Sequence, residues 1–367
     1  MALADGRGRS ATHAMSIDNA RSLWDIEPGY LNTSSYGPPP RPAWNALQRA
    51  LDDWRAGRTS WEPWADSVEV SRRSFAALVG VDPGLVATGA SVSQMLAPVA
   101  AAVPDGSQVL VPDIEFTSNV FPWAVHADRG VTVTTAPVDQ LADAIGPGTD
   151  VVAYSAVQSA TGEVADVDAI SRAARDVGAI TVVDTSQASG WLPIDADGPD
   201  LLVCAAYKWL CSPRGTAFLV HHPRLFERHP MLADRLKPLA AGWFAGEVVH
   251  DSYYGLPLRL ARDARRFDIS PAWHCWVGTA PALEVIVSVG VAAIGGHNVA
   301  LANRFLQALD QKPSNSAIVS VPGDPDAVAR LTAAGVRFGV RAGRIRVAFH
   351  LYSTEQDVDV AVRAIRG

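Results

Sequence analysis

The chain has 367 residues, and its 31 lysines and arginines against 38 aspartates and glutamates give a formal net charge of −7. An acidic chain of this kind is a poor candidate for holding nucleic acid, which requires clustered cations. Hydrophobic residues make up 48% of the chain and charged residues 19%, a composition that predicts a folded globular protein rather than a disordered one. The length predicts one large domain with a smaller one.

Cysteine and lysine are both scarce in this sequence. The chain contains three cysteines, at positions 204, 211 and 275, which are too few for a disulfide framework or a four-cysteine zinc site. This scarcity predicts no bound metal and a reducing, cytoplasmic location. Lysine occurs only at Lys208, Lys237 and Lys312, so any chemistry that requires a lysine amine has three candidates.

Two segments bear on export and membrane insertion. Residues 1–14 lack the apolar core of a secretory signal, and we predict that they form a disordered lead. The longest apolar stretch elsewhere, residues 280–296, contains Glu284 and ends in two glycines. It is shorter than the roughly 20 residues that span a bilayer. We therefore expect no membrane partner and, from the charge, no nucleic-acid partner.

From residue 82 to residue 220, short apolar and β-branched runs alternate with longer stretches of helical periodicity. One of these stretches places Val167, Ile170 and Ala174 on a single helical face. Strands that alternate with helices indicate a mainly parallel sheet between helical layers, which is an α/β architecture. The predicted strands are residues 109–111, 131–133, 151–154, 180–183, 201–203 and 218–220.

After residue 223 the pattern changes to an aromatic and arginine-rich segment, residues 243–276, for which we predict loops with interface character. Helical and strand patterns then follow and indicate a compact α+β unit. The helices are predicted at residues 281–294, 298–309 and 355–365, and the strands at 318–321 and 344–347. We predict a large domain over residues 30–240 and a small domain built from residues 15–29 together with 241–367.

Two polar residues follow predicted strands and are candidates for chemistry. Asp184 comes directly after an apolar strand, where ligands bind in parallel α/β sheets, although an aspartate there also serves as a helix N-cap. Lys208 follows the apolar run 201–206. Burial would lower the pKa of its amine and free the amine for imine chemistry. The alternative is a lysine that extends from the strand end to solvent.

A third candidate is the turn of small residues over 88–93, which leads into an apolar helix beginning near Gln94. Backbone amides at a helix start, together with a serine hydroxyl, form a phosphate site. Capped helices without any ligand begin in the same way. The turn alone therefore does not decide between the two roles.

These features occur along the chain in a particular order: the small-residue turn, Phe116 in the string EFTSN, the strand-end acid and the strand-end lysine. In this order they resemble the fold-type I enzymes of pyridoxal phosphate, specifically the class V aminotransferase and cysteine desulfurase family. The resemblance covers nearly the whole chain. Further strings that carry it are YLNTSSYGP (30–38), VDTSQA (183–188), YKW (207–209), SPRGT (212–216), and Arg346 six residues before Tyr352.

The resemblance implies a role for each matching residue. Lys208 and Tyr207 are the catalytic residues, with Lys208 holding pyridoxal 5′-phosphate covalently, and Asp184 pairs with the pyridinium nitrogen. The other implied cofactor residues are Ala90 and Ser91 at the phosphate, Phe116 on the ring face, Gln187 at the ring hydroxyl, Ser159 or Gln158 near the ring, and Ser270. The implied substrate residues are Arg346 at the carboxylate, Tyr36 and Ser34. Ser270 would reach the phosphate of a partner subunit, so the resemblance implies a homodimer that binds a small amino-acid substrate at a shared site.

One departure from the family bears on the reaction. A cysteine desulfurase of this family needs a mobile cysteine upstream of the carboxylate arginine, and this chain has none between Gly296 and Arg346. The EFTSN string and the arginine-rich composition resemble instead the C–S lyase family of ergothioneine biosynthesis. That family cleaves hercynylcysteine S-oxide to ergothioneine, pyruvate and ammonia. Its leaving group departs as a sulfenate, which requires no thiol on the enzyme.

Hercynylcysteine S-oxide carries a trimethylammonium group, which aromatic rings can bind. The candidates are Tyr36, Trp243, Phe244, Tyr253, Tyr254 and Trp273. The alternative is that these aromatic residues pack at a subunit interface. Three other functions also stay open: a cysteine-conjugate β-lyase, an epimerase similar to isopenicillin N epimerase, and a pyridoxal-binding regulatory module without catalysis.

Overall fold

The computed structural model describes residues 14–196 and 198–367. The predicted disordered lead lies outside the described residues, apart from residue 14. The strands are β1 (Val86–Gly89), β2 (Gln108–Pro112), β3 (Thr132–Ala136), β4 (Val151–Ser155), β5 (Ile180–Asp184), β6 (Leu201–Ala205), β7 (Ala217–His221), β8 (Ile318–Val321), β9 (Gly339–Arg341) and β10 (Arg344–Ala348). The α-helices are α1 (Ile17–Arg21), α2 (Arg41–Arg55), α3 (Glu62–Val79), α4 (Val92–Ala102), α5 (Thr117–Ala124), α6 (Leu141–Ala144), α7 (Val167–Val177), α8 (Arg224–Arg228), α9 (Pro230–Arg235), α10 (Trp273–Val289), α11 (Val291–Ala308), α12 (Pro325–Ala333) and α13 (Glu355–Arg366).

Seven strands form the central sheet in the spatial order β1-β7-β6-β5-β4-β2-β3. Strands β6, β5, β4, β2 and β3 run parallel to one another, and β7 pairs antiparallel with both β6 and β1. Every residue of β4, β5 and β6 is buried, as expected for a parallel sheet covered on both faces. The mainly parallel α/β sheet is confirmed, and each strand predicted for it overlaps an observed one.

Strand β1 was missing from the sequence prediction. It has four residues and lies at the edge of the sheet. It is held by antiparallel pairing with β7, from Val86 opposite Val220 to Gly89 opposite Ala217. Because this partner lies far along the chain, no local pattern reveals the strand. The pairing brings the small-residue turn to the sheet edge where β6 ends, since Ala217 also lies opposite Ala205.

The two helices predicted between residues 281 and 309 have other boundaries in the structure. Helix α10 begins at Trp273, inside the segment predicted as loops, and Gly290, with φ of +90°, separates it from α11. Helix α10 packs against α2, α3 and α11, so apolar residues occur around nearly its whole circumference and hide the helical period. Within the described ranges no single helix is long and apolar enough to span a membrane; α10 and α11 reach that length and composition only as a pair bent by 82°.

The second sheet has three antiparallel strands in the order β8-β10-β9. With α11, α12 and α13 it encloses a separate core that includes Phe305, Val347 and Phe349. The predicted small domain differs from this packing in one respect. Residues 273–289 belong to the core of the large domain, because α10 packs on α2 and α3 and its Trp276 contacts Phe218 of β7. The boundary between the two cores therefore lies after the end of α10 and not at residue 240, for the residues of that helix.

Candidate active site

Lys208 lies just beyond the end of β6 and is buried, with 7% of the residue exposed. Its Nζ atom is 5.3 Å from the ring centroid of Phe116 and 5.6 Å from that of Tyr207. Burial lowers the pKa of this amine, and the positive charges of Arg346 and Arg214 lower it further, while Asp184 raises it. The structure therefore favours a lysine amine that can act as a base, instead of a side chain extended into solvent.

Asp184 is the last residue of β5, the parallel neighbour of β6, and its side chain is buried. Its Oδ1 atom accepts a hydrogen bond of 2.8 Å from the backbone amide of Ser186. Burial raises the pKa of this carboxyl group, whereas the Ser186 hydrogen bond and the charge of Lys208 lower it. No helix begins at Asp184, so the carboxylate is available to a ligand at the strand end rather than committed to capping a helix.

A second buried carboxyl group, Glu115, was not singled out by the sequence analysis. It accepts hydrogen bonds from the Ser155 amide (2.7 Å), the Gln158 amide group (3.0 Å) and the backbone of Phe116 (3.0 Å). Burial raises the pKa of Glu115, the hydrogen bonds from Ser155 and Gln158 lower it, and the charge of Asp184 raises it. Glu115 thereby fixes the backbone that carries Phe116. The signal for it was its place in the EFTSN string, directly before the aromatic residue.

Ser159 and Gln158, the two alternatives predicted to lie near the cofactor ring, make different contacts in the structure. Gln158 donates a hydrogen bond from its side-chain amide to Glu115 (3.0 Å). Ser159 accepts a hydrogen bond from the Gln187 amide (3.1 Å) and another from the Arg346 guanidinium (3.1 Å). The structure therefore brings Ser159, and not Gln158, together with the other predicted site residues.

Gln187 links three parts of the site through its side chain. Its amide nitrogen donates to the Ser34 carbonyl (2.9 Å) and to the Ser159 hydroxyl, and its oxygen accepts from the Trp209 indole (2.8 Å). These bonds connect the segment before α2, the loop after β4 and the residue beside Lys208. Contact of Gln187 with a cofactor hydroxyl stays a prediction.

Arg346 reaches the site from β10 of the small sheet and is 1% exposed. Its guanidinium donates to the Ser159 carbonyl (2.5 Å) and to the Ser35 hydroxyl (2.7 Å), while its Nε has no hydrogen-bond partner. Burial and the neighbouring charge of Arg341 lower its pKa to about 10. A buried guanidinium that lacks a carboxylate is costly, so the arrangement favours an incoming anion.

The turn between β1 and α4 has the geometry of a capped helix start. Helix α4 begins at Val92, and Ser91 caps it by accepting a hydrogen bond of 3.3 Å from the Gln94 amide. The Ala90 amide donates to the Gln94 side chain at 3.0 Å. Ser91 is exposed at the start of an eleven-residue helix, where backbone amides and the helix dipole favour an anion. The two roles considered for this turn are thus compatible.

A buried ion pair anchors the segment that contains Ser270. The Asp268 carboxylate lies 2.6 Å from Arg72, and both side chains are at most 2% exposed. Its Oδ1 also accepts a hydrogen bond of 2.7 Å from the Thr88 amide. Asp268 therefore joins the small-residue turn to the exposed Ser270, which lies two residues further on. The sequence alone does not reveal this role, because Arg72 and Thr88 are distant from Asp268 along the chain.

The predicted substrate residues near the N-terminus lie beside the lysine. The ring of Tyr36 is 5.7 Å from that of Tyr207, and its hydroxyl accepts a hydrogen bond of 3.3 Å from the Arg214 amide. Ser34 is buried, and its hydroxyl has no hydrogen-bond partner. The hydroxyl is thus an unsatisfied polar group in the same region as the Arg346 Nε atom.

The other predicted aromatic residues form a cluster of their own. The ring of Trp61 lies 5.1 Å from Trp243, 6.3 Å from Tyr253 and 5.9 Å from Trp273. Phe244 contacts Trp243 and Trp273, and Tyr254 contacts Tyr253. In the part of the chain that the structure describes, none of these rings contacts Tyr36 or Tyr207. The structure therefore separates Tyr36 from the rest of the predicted cage.

The backbone of Lys208 is closely approached by Gly37. The Gly37 amide donates to the Tyr207 carbonyl at 2.9 Å, and a Cβ atom added to Gly37 would lie 1.8 Å from the Lys208 carbonyl oxygen. Only a glycine can occupy this position without displacing the lysine. The segment before α2 is thus packed directly on the loop that carries Lys208.

These residues fit pyridoxal phosphate. A buried amine, a buried carboxyl group on the neighbouring strand, a facing aromatic ring and a helix start are the groups that an aldehyde, a pyridine ring and a phosphate require. The unsatisfied polar atoms of Ser34 and Arg346 indicate that the described protein atoms do not complete the site.

The similarity of this chain to known proteins agrees with a site for pyridoxal phosphate. The family model Aminotransferase class-V matches residues 57–337. The chain is 29% identical to the uncharacterized aminotransferase YcbU of Bacillus subtilis, over 88% of this chain and 90% of that protein. It is 27% identical to isopenicillin N epimerase of Streptomyces clavuligerus, over 92% and 94% of the two chains. It is 28% identical to kynureninase of Salinispora tropica, over 88% and 80%.

Solved structures share the fold at low sequence identity. The cystine C-S lyase C-DES, in complex with its product cysteine persulfide, superimposes with a TM-score of 0.81 at 20% identity, covering 93% of this chain and 98% of that one. The cysteine desulfurase CsdA from Escherichia coli gives a TM-score of 0.79 at 20% identity, with 96% and 98% covered. The fold-type I architecture inferred from the sequence is confirmed.

Substitution of Gly37 by alanine should displace the Lys208 loop. We expect Gly37→Ala to lower the stability by about 1–3 kcal/mol, as overpacking does, and to reduce the visible absorbance of bound cofactor per protein. Gly296→Ala is the control, because nothing lies within 4 Å of its added Cβ. Equal melting temperatures and equal cofactor absorbance in the two variants would contradict the close approach.

Removal of the Asp268 charge should weaken binding of the phosphate group. We expect Asp268→Asn to raise the dissociation constant of pyridoxal phosphate at least tenfold, but that of phosphate-free pyridoxal much less. Titration of the apoprotein by absorbance measures both constants. Asp263→Asn, in the same segment but paired with the more exposed Arg265, should leave both unchanged. A parallel loss of both cofactor forms would instead indicate general destabilisation.

Proposed function

The chain belongs to the class-V aminotransferase family, and from that premise we propose that it is a lyase that breaks the Cβ–S bond of a cysteine S-conjugate. Its cofactor is pyridoxal 5′-phosphate. We further propose a cytoplasmic homodimer, in which the exposed Ser270 of one copy completes the phosphate site of the other.

The observation that carries the proposal is a buried amine base whose neighbouring thiol, that of Cys204, is kept protonated by burial. Burial and two nearby arginines lower the pKa of Lys208. Cys204 and Cys211 are buried, and burial raises the pKa of each thiol well above its usual value. Cys275 donates its thiol to the Arg214 carbonyl. A protonated, buried thiol is a poor nucleophile, which supports release of the sulfur group to solvent rather than its transfer to the enzyme.

When bound, pyridoxal phosphate supplies an electron sink that stabilises negative charge at the Cα atom of an amino acid. Asp184 would face the ring nitrogen from the end of β5 and keep it protonated. Arg346 would bind the α-carboxylate through its guanidinium. Phe116 would cover one face of the ring and exclude water from it.

The elimination itself requires one proton acceptor and one leaving group. The Lys208 amine accepts the proton from Cα, the Cβ–S bond breaks, and its electron pair leaves with the sulfur. Uptake of water by the remaining three-carbon unit then gives pyruvate and ammonia. For a sulfoxide the departing group is a sulfenate. Two molecules of an external thiol reduce it to the sulfur level of a thiol or thione, and they are oxidised to a disulfide with release of water.

As substrate we propose hercynylcysteine S-oxide. Its sulfenate leaving group needs no thiol on the enzyme, in accord with the buried cysteines. The similarity in fold to a protein described as a cystine C-S lyase also supports cleavage of a C–S bond. The separation of Tyr36 from the Trp61 cluster gives no support to an aromatic cage built from both.

Epimerisation is the second candidate. It is favoured by similarity to isopenicillin N epimerase over 92% of this chain and 94% of that enzyme. The same Lys208 amine would remove the Cα proton, which would then return to the opposite face. No bond to Cβ would break, so an epimerase would release no pyruvate.

Pyruvate release separates these functions. We expect the holoenzyme to release pyruvate from hercynylcysteine S-oxide with a kcat/KM at least tenfold above that for free cysteine. Lys208→Ala should lower the rate by at least about 100-fold, because it removes the general base. Lys237→Ala, at an exposed lysine, should retain it. If no pyruvate forms while deuterium from solvent enters the Cα position, the enzyme is an epimerase and the lyase proposal is wrong.

A further inference from the structure

Two guanidinium groups meet at one serine hydroxyl beside the site. Arg346 donates to the Ser35 hydroxyl at 2.7 Å, and Arg341 donates to the same oxygen at 3.4 Å. Arg341 is at the end of β9, next to β10, and is exposed. The two charges are close enough for Arg341 to lower the pKa of Arg346. The exposed Arg341 thus places a second positive charge beside the buried one.

A third arginine, Arg214, lies beside the ring of Tyr207, which also borders the lysine. The guanidinium carbon of Arg214 is 5.0 Å from the ring centroid of Tyr207, and Lys208 Nζ is 5.6 Å from the same centroid. The Arg214 backbone is held by its hydrogen bond to the Tyr36 hydroxyl. Arg214 is exposed, and its charge lowers the pKa of Lys208. Its guanidinium and the lysine amine therefore border the same aromatic ring.

None of these three arginines forms an ion pair with a carboxylate among the described residues. Like charges that lie near one another without a countercharge repel each other. Such an arrangement is stabilised when anions bind and provide the missing countercharge.

The substrate's α-carboxylate accounts for only one of the three arginines. Arg346 is the buried member, and its unsatisfied Nε makes it the partner of that carboxylate. The cofactor phosphate belongs to the turn between β1 and α4, where Ser91 and the helix start lie. Arg214 and Arg341 are then left without a countercharge, at the exposed side where a substrate side chain would extend.

We propose that the amino-acid substrate carries a second anionic group, a carboxylate on its side chain, which Arg341 and Arg214 bind. This inference names the substrate class of the proposed lyase. Only its turnover test, which measures pyruvate, rests on the proposed function; its binding test does not. It is compatible with hercynylcysteine S-oxide, whose betaine part bears a second carboxylate. It predicts discrimination against substrates of the same shape with a neutral side chain.

Binding tests the inference without turnover. Glutamate and glutamine differ by a side-chain carboxylate against an amide, and each can be titrated into the holoenzyme while the visible absorbance of the cofactor is followed. We expect glutamate to bind at least tenfold more tightly than glutamine. Arg341→Gln and Arg214→Gln should each reduce this preference to threefold or less, and Arg341→Lys should keep part of it.

The control for charge is Arg304→Gln, which removes one exposed guanidinium that pairs with Asp359 on the far helices. It should leave the preference unchanged. Equal binding of glutamate and glutamine by the unaltered holoenzyme would overturn the inference. A preference that persists in Arg341→Gln and in Arg214→Gln would also overturn it, since other groups would then bind the anion.

Turnover separates this inference from the proposed function. The S-oxides of S-carboxymethylcysteine and S-carbamoylmethylcysteine have the same leaving chemistry and differ only in the charge of the side chain. We expect kcat/KM for pyruvate release to be at least tenfold higher for the carboxylate. If glutamate is preferred in binding but neither S-oxide yields pyruvate, the lyase function fails and the anion site stands. If both yield pyruvate equally, the lyase stands and the anion site is wrong.

Discussion

The site depends on the burial of one amine, that of Lys208, at the edge where strands β5 and β6 end. Parallel pairing places Asp184 at the end of the neighbouring strand, and burial shifts the two pKa values in opposite directions, upward for the acid and downward for the amine. Each shift reflects the cost of charge in a low-dielectric environment. The buried amine therefore loses its proton more readily than a solvated lysine does, which suits it to act as a base.

The second constraint is the junction between the two cores. Arg346 comes from β10 of the small sheet but donates its hydrogen bonds to Ser159 and Ser35, and Gln187 ties Ser159 to Ser34 and Trp209. The buried guanidinium thus connects the small domain to the loop that follows β4. Because the arginine has no carboxylate, the junction holds a positive charge that an anionic substrate can neutralise.

Much of this arrangement could be predicted from local patterns. The strands of the large sheet follow from β-branched runs, and Asp184 and Lys208 were identified because they follow such runs directly. The prediction failed where a feature depends on contacts between residues that are far apart along the chain. Strand β1 exists because β7 pairs with it, and α10 hides its period because it is buried on nearly all sides. The roles of Glu115 and Asp268 were also not predicted, because their partners Ser155, Arg72 and Thr88 are distant along the chain.

The sequence by itself indicated the fold class through its alternating patterns and, through its resemblance to the class V family, the cofactor. It also singled out Lys208 as the candidate lysine, because lysine is rare in this chain and Lys208 follows an apolar strand. Only the tertiary structure decided that Ser159 and not Gln158 faces Arg346, that Tyr36 is separate from the Trp61 cluster, and that Arg341 and Arg346 share one hydroxyl. The physical reason is that contacts between side chains depend on how sheets and helices pack, which local spacing does not encode.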